Sequence, residues 1–121
     1  MREILFRGKR VKKYCETQDW TYGVSFFDHE GDCVFKTACS ELVVNPETVG
    51  QYTGLTDKNG KEIFEGDICK HRSDYSGEYI ISVVAYEDGE FLAMVGNNSA
   101  FCLSDKLEVI GNIHDNPELL N

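Results

Sequence analysis

The chain has 121 residues, of which 41% are hydrophobic and 12% aromatic, so it fits one domain whose core needs neither metals nor disulfides. Its net charge of −9 disfavours binding to nucleic acid or to an anionic membrane, unless a local basic patch dominates the contact. Such a patch is encoded at the start, because residues 1–13 carry +5 and the remaining 108 residues carry −14.

No segment of the sequence is apolar enough to cross a membrane. The longest apolar runs, Tyr79–Tyr86 and Phe91–Val95, are much shorter than the ~20 residues that span a bilayer. The first residues are charged and lack the apolar region of a secretory signal. The five cysteines are odd in number and scattered, unlike a disulfide framework. We therefore expect reduced thiols, a cytoplasmic location and no membrane partner.

The N-terminal half predicts short β-strands. Ile4–Phe6 is the first, and Trp20–Phe27 is rich in the aromatic and β-branched residues that strands favour. Asp28–Asp32 then predicts a hairpin loop, which is followed by strands at Cys33–Phe35 and Leu42–Val44. We expect these strands to form an antiparallel lobe.

Helical signals are confined to two single turns. Asn45-Pro46-Glu47 and Asn116-Pro117-Glu118 each place an asparagine cap before a proline and a carboxylate in the first turn. No sustained 3.6-residue apolar period occurs elsewhere. The sequence therefore predicts a mostly β protein with single-turn helices only.

Residues 51–67, with the sequence QYTGLTDKNGKEIFEGD, are the most distinctive stretch of the chain. They predict three turns, at Tyr-Thr-Gly, Asp-Lys-Asn-Gly and Glu-Gly-Asp. The spacing from Gly54 to Lys61 is one residue too long for a phosphate-binding loop, and no Ser or Thr follows the lysine. Gly60 comes too soon after Asp57 for a calcium loop. We therefore assign a structural role to these signature residues: Tyr52, Gly54, Asp57, Asn59, Gly60, Gly66 and Asp67.

The C-terminal half predicts a meander of strands. Tyr79–Tyr86 and Phe91–Val95 flank an Asp-Gly pair, which is a strong hairpin signal because both residues tolerate positive φ. Further strands are expected at Phe101–Leu103 and Leu107–Ile113. The predicted core of the whole chain comprises Phe6, Trp20, Tyr22, Val43, Ile63, Phe64, Ile68, Ile81, Val83, Phe91, Leu92, Val109 and Ile113.

Candidate catalytic and metal-binding groups are scattered along the sequence. Cys69 and His71 would share one face of a strand, but a buried cysteine beside an exposed histidine is the simpler interpretation, since no Cys-x-x-Cys pair is present. None of the three histidines or seven serines lies in a recognisable nucleophile motif. We predict no catalytic residues, no metal site and no cofactor, and a small-molecule enzyme stays open as an alternative.

The basic run at residues 9–13 is the best candidate for contact with nucleic acid. Lysine and arginine would neutralise phosphates, and an exposed aromatic ring nearby could stack on a base. The alternative is a solvated loop between the first two strands, with Trp20 and Tyr22 facing the core. The candidate contacts are Lys9, Arg10, Lys12 and Lys13.

Several blocks spread along the chain resemble one known family. They are Met1–Lys9, Trp20–Gly23, Val49–Leu55, Asp57–Ile68 and Val109–Leu120. In these blocks the sequence resembles the YopX family of small proteins carried by bacteriophages and prophages. The lysine pair of the basic run departs from the pattern, because relatives often have a short Asn-Gly-like turn there. That departure weakens any transfer of function to the basic run.

The resemblance implies a phage or prophage origin and action in the cytoplasm of a bacterial host. It supplies no enzymatic activity and no ligand, since the family is functionally uncharacterised. It is consistent with a C-terminal SH3-like β-barrel whose first strand starts at Glu65–Ile68. Because that fold binds proteins and nucleic acids alike, it does not identify a partner.

Together these observations predict one domain over residues 1–121, with an N-terminal β lobe at about residues 1–50 and a barrel-like lobe at about residues 60–121. The function we expect is a non-enzymatic protein-interaction module, whose partner is a host or phage protein. Nucleic-acid binding is the first alternative. Exposed strand edges in a small β-domain favour self-association, so a homo-oligomer is a further option.

Overall fold

The structure is a computed structural model that describes residues 4–11, 19–36, 40–96 and 99–120. Within these ranges the chain forms twelve β-strands, paired in antiparallel sheets, and two short 3₁₀ helices. The predicted mostly β architecture with single-turn helices is confirmed. None of the described residues belongs to a helix with the length and apolar character needed to cross a membrane.

The chain divides into two compact units, residues 1–52 and residues 53–121. Strand β6 begins in the first unit and ends in the second. The elements that begin in the first unit are β1 (Phe6–Lys9), β2 (Trp20–Gly23), β3 (Ser25–His29), β4 (Asp32–Lys36), β5 (Glu41–Val44), the 3₁₀ helix Pro46–Thr48 and β6 (Gly50–Thr56).

Strand β1 links the sheets of the first unit. It pairs with β2 on one side and with the start of β6 on the other, while β3, β4 and β5 form a three-stranded sheet in that order. The end of β1 also reaches β5, because the Asn45 N–H donates to the Lys9 carbonyl at 2.8 Å. A Cβ on Gly8 would lie 3.2 Å from the side chains of Phe35 and Val44, so β1 packs closely on the three-stranded sheet.

The bounds of the N-terminal strands differ in part from the prediction. The first strand begins at Phe6, two residues later than predicted. The predicted strand Trp20–Phe27 is interrupted at Val24, because β2 and β3 belong to different sheets. The predicted hairpin loop shrinks to a two-residue turn, since Glu30 (φ 51°) and Gly31 (φ 86°) both adopt the left-handed conformation.

Both predicted helical turns occur as short 3₁₀ helices. Pro46–Thr48 follows Asn45, whose side-chain oxygen accepts the Glu47 N–H at 3.0 Å. Pro117–Leu120 follows Asn116 in the same way along the sequence. The asparagine-proline pairs therefore predict these elements correctly.

A five-stranded antiparallel sheet dominates the second unit. The elements of the second unit that follow β6 are β7 (Glu62–Phe64), β8 (Asp67–Arg72), β9 (Tyr79–Glu87), β10 (Glu90–Val95), β11 (Ser99–Cys102), β12 (Glu108–Asn112) and the 3₁₀ helix Pro117–Leu120. Strands β8 to β11 pair as a meander, and β12 returns to β8, which gives the order β11-β10-β9-β8-β12. A bulge shifts the register of β12 against β8 between Val109 and Gly111. The short strand β7 lies next to β6.

A cluster of buried apolar side chains in the second unit lies on one face of this sheet. Buried side chains come from β7, β8, β9 and β10 and from the segment before β12, and Leu103 and Val109 pack against them. The buried members of the cluster are Ile63, Cys69, Val84, Ala93 and Leu107.

The predicted core is confirmed in part. Ile63, Phe64 and Ile68 are buried, but Tyr22 is 50% exposed and Ile113 is 36% exposed, so these two assignments are wrong. Tyr22 pairs with Arg7 and therefore points away from the face that packs on the three-stranded sheet, and Ile113 lies in the turn after β12. The other predicted core residues are half-buried: Phe6, Trp20, Val43, Ile81, Val83, Phe91, Leu92 and Val109.

The five-stranded sheet is strongly curved. The ring centroids of His71 in β8 and Phe101 in β11 are 5.4 Å apart, although the three strand spacings between these strands would measure about 14 Å in a flat sheet. Among the described strands, β11 and β12 do not pair with each other, so the sheet is open. The C-terminal β lobe is thus observed as a curved open sheet, and its assignment to the SH3-like barrels stays a prediction.

Candidate functional site

The Tyr-Thr-Gly segment is part of strand β6, so the prediction of a turn there is wrong. Tyr52 is buried, and its N–H donates to the Leu5 carbonyl at 2.7 Å. Thr53 is also buried, and its hydroxyl donates to the Ile63 carbonyl at 2.8 Å. Gly54 has a φ of 90°, which L side chains rarely adopt. Gly54 therefore allows a local distortion of the backbone within a strand, and the chain does not reverse its direction there.

The predicted Asp-Lys-Asn-Gly turn is confirmed, and the Asp57 carboxylate shapes it. Asp57 is only 4% exposed. Its Oδ1 accepts the N–H groups of Asn59 at 2.8 Å and Lys61 at 2.9 Å. Gly60 supplies the positive φ of 82° that the turn requires, and the Asn59 side chain is exposed. This oxygen is thus engaged by the backbone of its own turn.

The other carboxylate oxygen of Asp57 reaches strand β12. Oδ2 accepts the Val109 N–H at 2.9 Å, and beside it the Lys58 N–H donates to the Leu107 carbonyl at 2.9 Å. Burial raises the pKa of Asp57, but the three backbone donors and the charge of Lys61 outweigh burial and hold the pKa below its usual value. The turn therefore caps the edge of β12 that faces away from β8.

The Glu-Gly-Asp turn joins β7 to β8, as the sequence predicts. Asp67 is 1% exposed, and its Oδ2 accepts the Phe64 N–H at 2.8 Å. Gly66 has a φ of 92°, donates to the Val84 carbonyl at 2.8 Å and accepts the Ile113 N–H at 3.0 Å. These signature residues contact the backbone of the protein itself, and they hold β7, β9 and the end of β12 around the start of β8.

Strand β11 forms the opposite edge of the five-stranded sheet. It pairs with β10 on one side, and no described strand pairs with its other side. All four of its residues, Ser99–Cys102, are exposed, and none is charged. Phe101 is 42% exposed, and its ring packs edge-on against His71. Charged residues, prolines and bulges commonly protect edge strands from pairing with other chains, and β11 has none of these features.

Trp20 lies between two cations on one face of the β1–β2 pair. The register pairs Lys9 with Trp20 and Arg7 with Tyr22. Arg7 Cζ lies 4.7 Å and Lys9 Nζ 5.9 Å from the centroid of the Trp20 ring, both within cation–π range. Arg7 is 7% exposed, whereas Tyr22 is half exposed. We call these four residues the cationic face.

Of the four predicted nucleic-acid contacts, Lys9 lies in the cationic face and Arg10 lies just beyond β1. Arg10 forms an isolated bridge with Val44, and its side chain is half-buried. Lys12 and Lys13 lie outside the described residues. The alternative of a solvated loop is wrong for Lys9, because this residue belongs to a strand.

The sequence matches the profile described as YopX protein over residues 5–121. The chain belongs to the YopX family. The resemblance inferred from its sequence blocks is therefore confirmed. The chain is also similar to a solved structure, the crystal structure of protein EF1440 from Enterococcus faecalis, with 26% identity, a TM-score of 0.58 and coverage of 100% of both chains. No curated protein matches the sequence.

The thiols and histidines of this YopX chain do not assemble into a reactive centre within the described ranges. Burial, with a smaller contribution from Asp67, raises the pKa of Cys69 to about 12, so this core thiol is a poor nucleophile. His71 is half-buried against Phe101, and Cys102 is a free, exposed thiol. No cluster of three or more His, Cys, Asp or Glu side chains that could hold a metal ion occurs in the described part of the chain.

An open groove of about 430 Å³ occurs in the first unit and is lined by Phe27, Asp28, Gly31, Cys33 and Pro46. Among its described lining residues, the polar side-chain groups are one carboxylate and one thiol. Burial and the nearby charge of Asp28 raise the pKa of Cys33, which opposes formation of a thiolate. The described residues of the groove therefore offer no activated thiolate of the kind that covalent catalysis by cysteine requires.

Two features of the candidate sites were missed from the sequence. Arg7 was not grouped with Lys9, although a period of two on a strand places them on one face. The edge strand Ser99–Cys102 was not singled out, although its four residues carry no charge in a chain of net charge −9. A search for uncharged short strands would have found it, but its position at the edge of the sheet depends on the order of the strands.

Proposed function

We propose that this YopX protein is a non-enzymatic protein-interaction module of phage or prophage origin, which acts in the cytoplasm of a bacterial host. It binds an extended segment of a host or phage protein along strand β11. The observation that carries this proposal is the open, uncharged edge of the five-stranded sheet at Ser99–Cys102. Addition of a strand to such an edge is a common mode of peptide recognition.

The properties of β11 suit a partner that binds by its backbone. The outer row of amide and carbonyl groups would hydrogen-bond to the added strand, and each such bond contributes about 0.5–1.5 kcal/mol net. Phe101 projects on one face of the strand, and Ala100 and Cys102 project on the other, so alternate side chains of the partner meet different surfaces. Because the strand has only four residues, we expect dissociation constants on the order of micromolar to millimolar.

The SH3-like interpretation of the second unit is part of this proposal. A meander of four strands whose fifth strand returns to pair with the first supports it, as does the curvature that brings His71 to Phe101. Because SH3-like folds bind several kinds of partner, the fold alone does not favour protein over nucleic acid. The lack of charge on β11 favours protein.

Selection of random linear peptides on the immobilised protein tests the proposal. Ala100→Lys is the variant of choice, because Ala100 is exposed and a lysine on an edge strand opposes strand addition. Peptides retained by the wild-type protein should bind Ala100→Lys several-fold more weakly. Asp74→Lys, on an exposed turn, is the matched control and should bind as the wild type does. If no peptide distinguishes the two variants, binding at β11 is refuted.

Nucleic-acid binding is the second candidate, and the cationic face favours it. Trp20 already stacks against Arg7 and Lys9, and the exposed Tyr22 lies next to it on the same strand face. Such a combination of cations and rings suits single-stranded nucleic acid. The net charge of −9 opposes it, so only this local surface would engage phosphates.

The fluorescence of Trp20 reports directly on this surface, because Trp20 is the single tryptophan of the chain. Titration with a short oligothymidylate should quench it at low salt, and the apparent affinity should fall as salt is raised. The variant Lys9→Ala/Arg10→Ala/Lys12→Ala/Lys13→Ala should lose the quenching. An unchanged fluorescence signal in wild type would remove nucleic acid as a ligand of this face, and equal quenching in the variant would exclude Lys9, Arg10, Lys12 and Lys13 as its contacts.

A further inference from the structure

We propose that the segment bound by β11 is β11 of a second copy of this chain, so that two copies join their five-stranded sheets edge to edge. This inference rests on the proposed function, since it names the partner for the same edge. The two strands would run antiparallel about a two-fold axis that passes through the sheet.

The edge formed by β12 is not available for pairing. The Asp57 carboxylate accepts a hydrogen bond from the Val109 N–H, and the Lys58 N–H donates one to the Leu107 carbonyl, so neither group can pair with another strand. Further along, the side-chain oxygen of Asn116 accepts the Asn112 N–H at 3.2 Å. The bulge after Val109 also disturbs the regular spacing of this edge. Addition of β11 from one copy to β12 of the next, which would build an open-ended fibre, is therefore blocked.

With β12 blocked, pairing of β11 with β11 is the arrangement that closes. A two-fold axis uses the same surface on both copies, so the assembly ends at two. In such a pair each strand faces its own sequence, and like charges directly opposite each other would destabilise it. Ser99–Cys102 carries no charge, whereas the chain as a whole carries −9. The edge that geometry leaves open is thus also a surface on which two acidic chains meet without local repulsion.

The symmetry limits the register of the pair. A two-fold axis perpendicular to the sheet keeps each side chain on its own face, so residues of the same parity lie opposite each other. Two centred registers follow: Phe101 faces Phe101 and Ala100 faces Cys102, or Ala100 faces Ala100 and Phe101 faces Ser99. The first register adds an aromatic pair across the axis, which contributes about 0.5–1.5 kcal/mol beyond burial. We therefore favour it.

Disulfide cross-linking reads both the contact and the register. The test uses the full chain with Cys15→Ser, Cys33→Ser and Cys39→Ser, so that the only exposed thiol among the described residues is Cys102. The substitution Ala100→Cys is introduced into this chain. Under mild oxidation it should give a covalent dimer if residue 100 of one copy faces Cys102 of the other. Opposed residues of paired strands lie within the 4.4–6.8 Å between Cα atoms that a disulfide bridges. Ala100→Cys combined with Cys102→Ser should cross-link only in the other register.

Asp74→Cys combined with Cys102→Ser is the control, since it places an equally exposed thiol on a turn away from β11. It should remain monomeric under the same oxidation. Sedimentation velocity of the wild type without oxidant should show a monomer–dimer equilibrium between about 10 µM and 1 mM. Ala100→Lys should weaken the dimer roughly tenfold or more, because it sets two lysines near the axis.

The outcomes separate this inference from the proposed function. A monomer that retains β11-dependent peptide binding overturns the self-pairing and leaves the proposed function standing. A monomer that binds no peptide at β11 overturns both. A dimer that Ala100→Lys does not weaken, or cross-linking of the Asp74→Cys control as fast as of the β11 variants, places the association elsewhere and overturns the inference.

Discussion

Replacement of Asp57 by asparagine tests whether the signature turn holds the sheet of the second unit together. The carboxylate accepts three backbone N–H groups, from Asn59, Lys61 and Val109. Asparagine has the same shape and keeps one carbonyl oxygen for its own turn. Its amide group, however, would point a donor at the Val109 N–H in place of an acceptor.

The magnitude follows from the environment of each donor. Asn59 and Lys61 are exposed, so hydrogen bonds to water can replace part of the hydrogen bonding that their N–H groups lose in the variant. Val109 is half-buried, and a hydrogen bond to a charged group is worth about 1.5–3 kcal/mol. We therefore expect Asp57→Asn to lower the free energy of unfolding by about 2–3 kcal/mol, which corresponds to a fall of roughly 1–2 M in the urea midpoint.

The effect should depend on pH in a defined direction. The pKa of Asp57 is lower in the folded protein than its usual value of about 3.9. The carboxylate therefore stabilises the fold fully above that value, and the contribution is lost as the pH falls through the folded pKa. The difference in unfolding free energy between wild type and Asp57→Asn should be constant from pH 7 to about pH 5 and should shrink below pH 4.

Urea unfolding followed by far-ultraviolet circular dichroism, at pH 7 and at pH 3.5, measures both quantities. Asp88→Asn is the matched control, because Asp88 is exposed and asparagine also tolerates its φ of 49°. This control should change the unfolding free energy by less than about 0.5 kcal/mol. A comparably small change for Asp57→Asn at pH 7, or a loss that persists unchanged at pH 3.5, would refute the assignment of the turn as an electrostatic cap of β12.

Three further predictions concern the same unit. Gly111→Ala would place a Cβ 2.6 Å from the Asn116 side-chain oxygen, and should lower the free energy of urea unfolding by about 1–3 kcal/mol. When Gly111→Ala is introduced into a chain that already carries Asn116→Ala, the further loss should be much smaller. Ser82→Ala should be neutral or stabilising, because the buried Ser82 hydroxyl has no hydrogen-bond partner among the described residues, whereas Thr53→Val should cost about 1–2 kcal/mol. Iodoacetamide at pH 8 should modify Cys69 only after unfolding, as followed by mass spectrometry, since its pKa is raised to about 12.

Local chemistry made the turns that contain Asp57, Gly66 and Asp88 predictable. Asp88 and Gly89 adopt φ values of 49° and 86°, as expected for the residue types that tolerate the left-handed conformation in a tight hairpin. The two asparagine-proline pairs predict the 3₁₀ helices for a similar reason, since the fixed φ of proline and, before Pro46, the Asn45 cap act within a few residues. Such elements depend on few distant contacts, and the sequence suffices for them.

Which face of each strand is buried could not be predicted with the same success. In β9 the fully buried residues are Ser82 and Val84, whereas Ile81 and Val83 were assigned to the core. Seven of the eight residues in Tyr79–Tyr86 are apolar, so alternation gives no signal for one face over the other. The single polar residue lies on the buried face, which is the reverse of what hydrophobicity alone indicates.

The candidate sites were harder still, because they depend on the order of the strands. The partner of Asp57 in β12 lies 52 residues away, and nothing near Asp57 in the sequence points to it. Likewise, Ser99–Cys102 becomes an interaction edge only because β10 pairs with one of its sides and no described strand pairs with the other. The sequence indicates a strand at this place. Whether that strand lies at the edge or in the centre of the sheet depends on pairings with distant strands, which the local sequence does not indicate.

The signature stretch and the open edge are connected through the sheet itself. The polar groups that identify the family, above all Asp57 and Asp67, are directed at backbone N–H groups and leave little chemistry for a ligand. Asp57 caps β12 and so closes one edge of the sheet. The other edge, β11, carries no charged residue that would oppose pairing with another strand. A sheet with one sealed edge and one open edge can accept a strand on one side only. The signature thus bears on function by restricting where a partner can bind, and Asp57→Asn should free the Val109 N–H while Lys58 and Asn116 still occupy their own positions along β12.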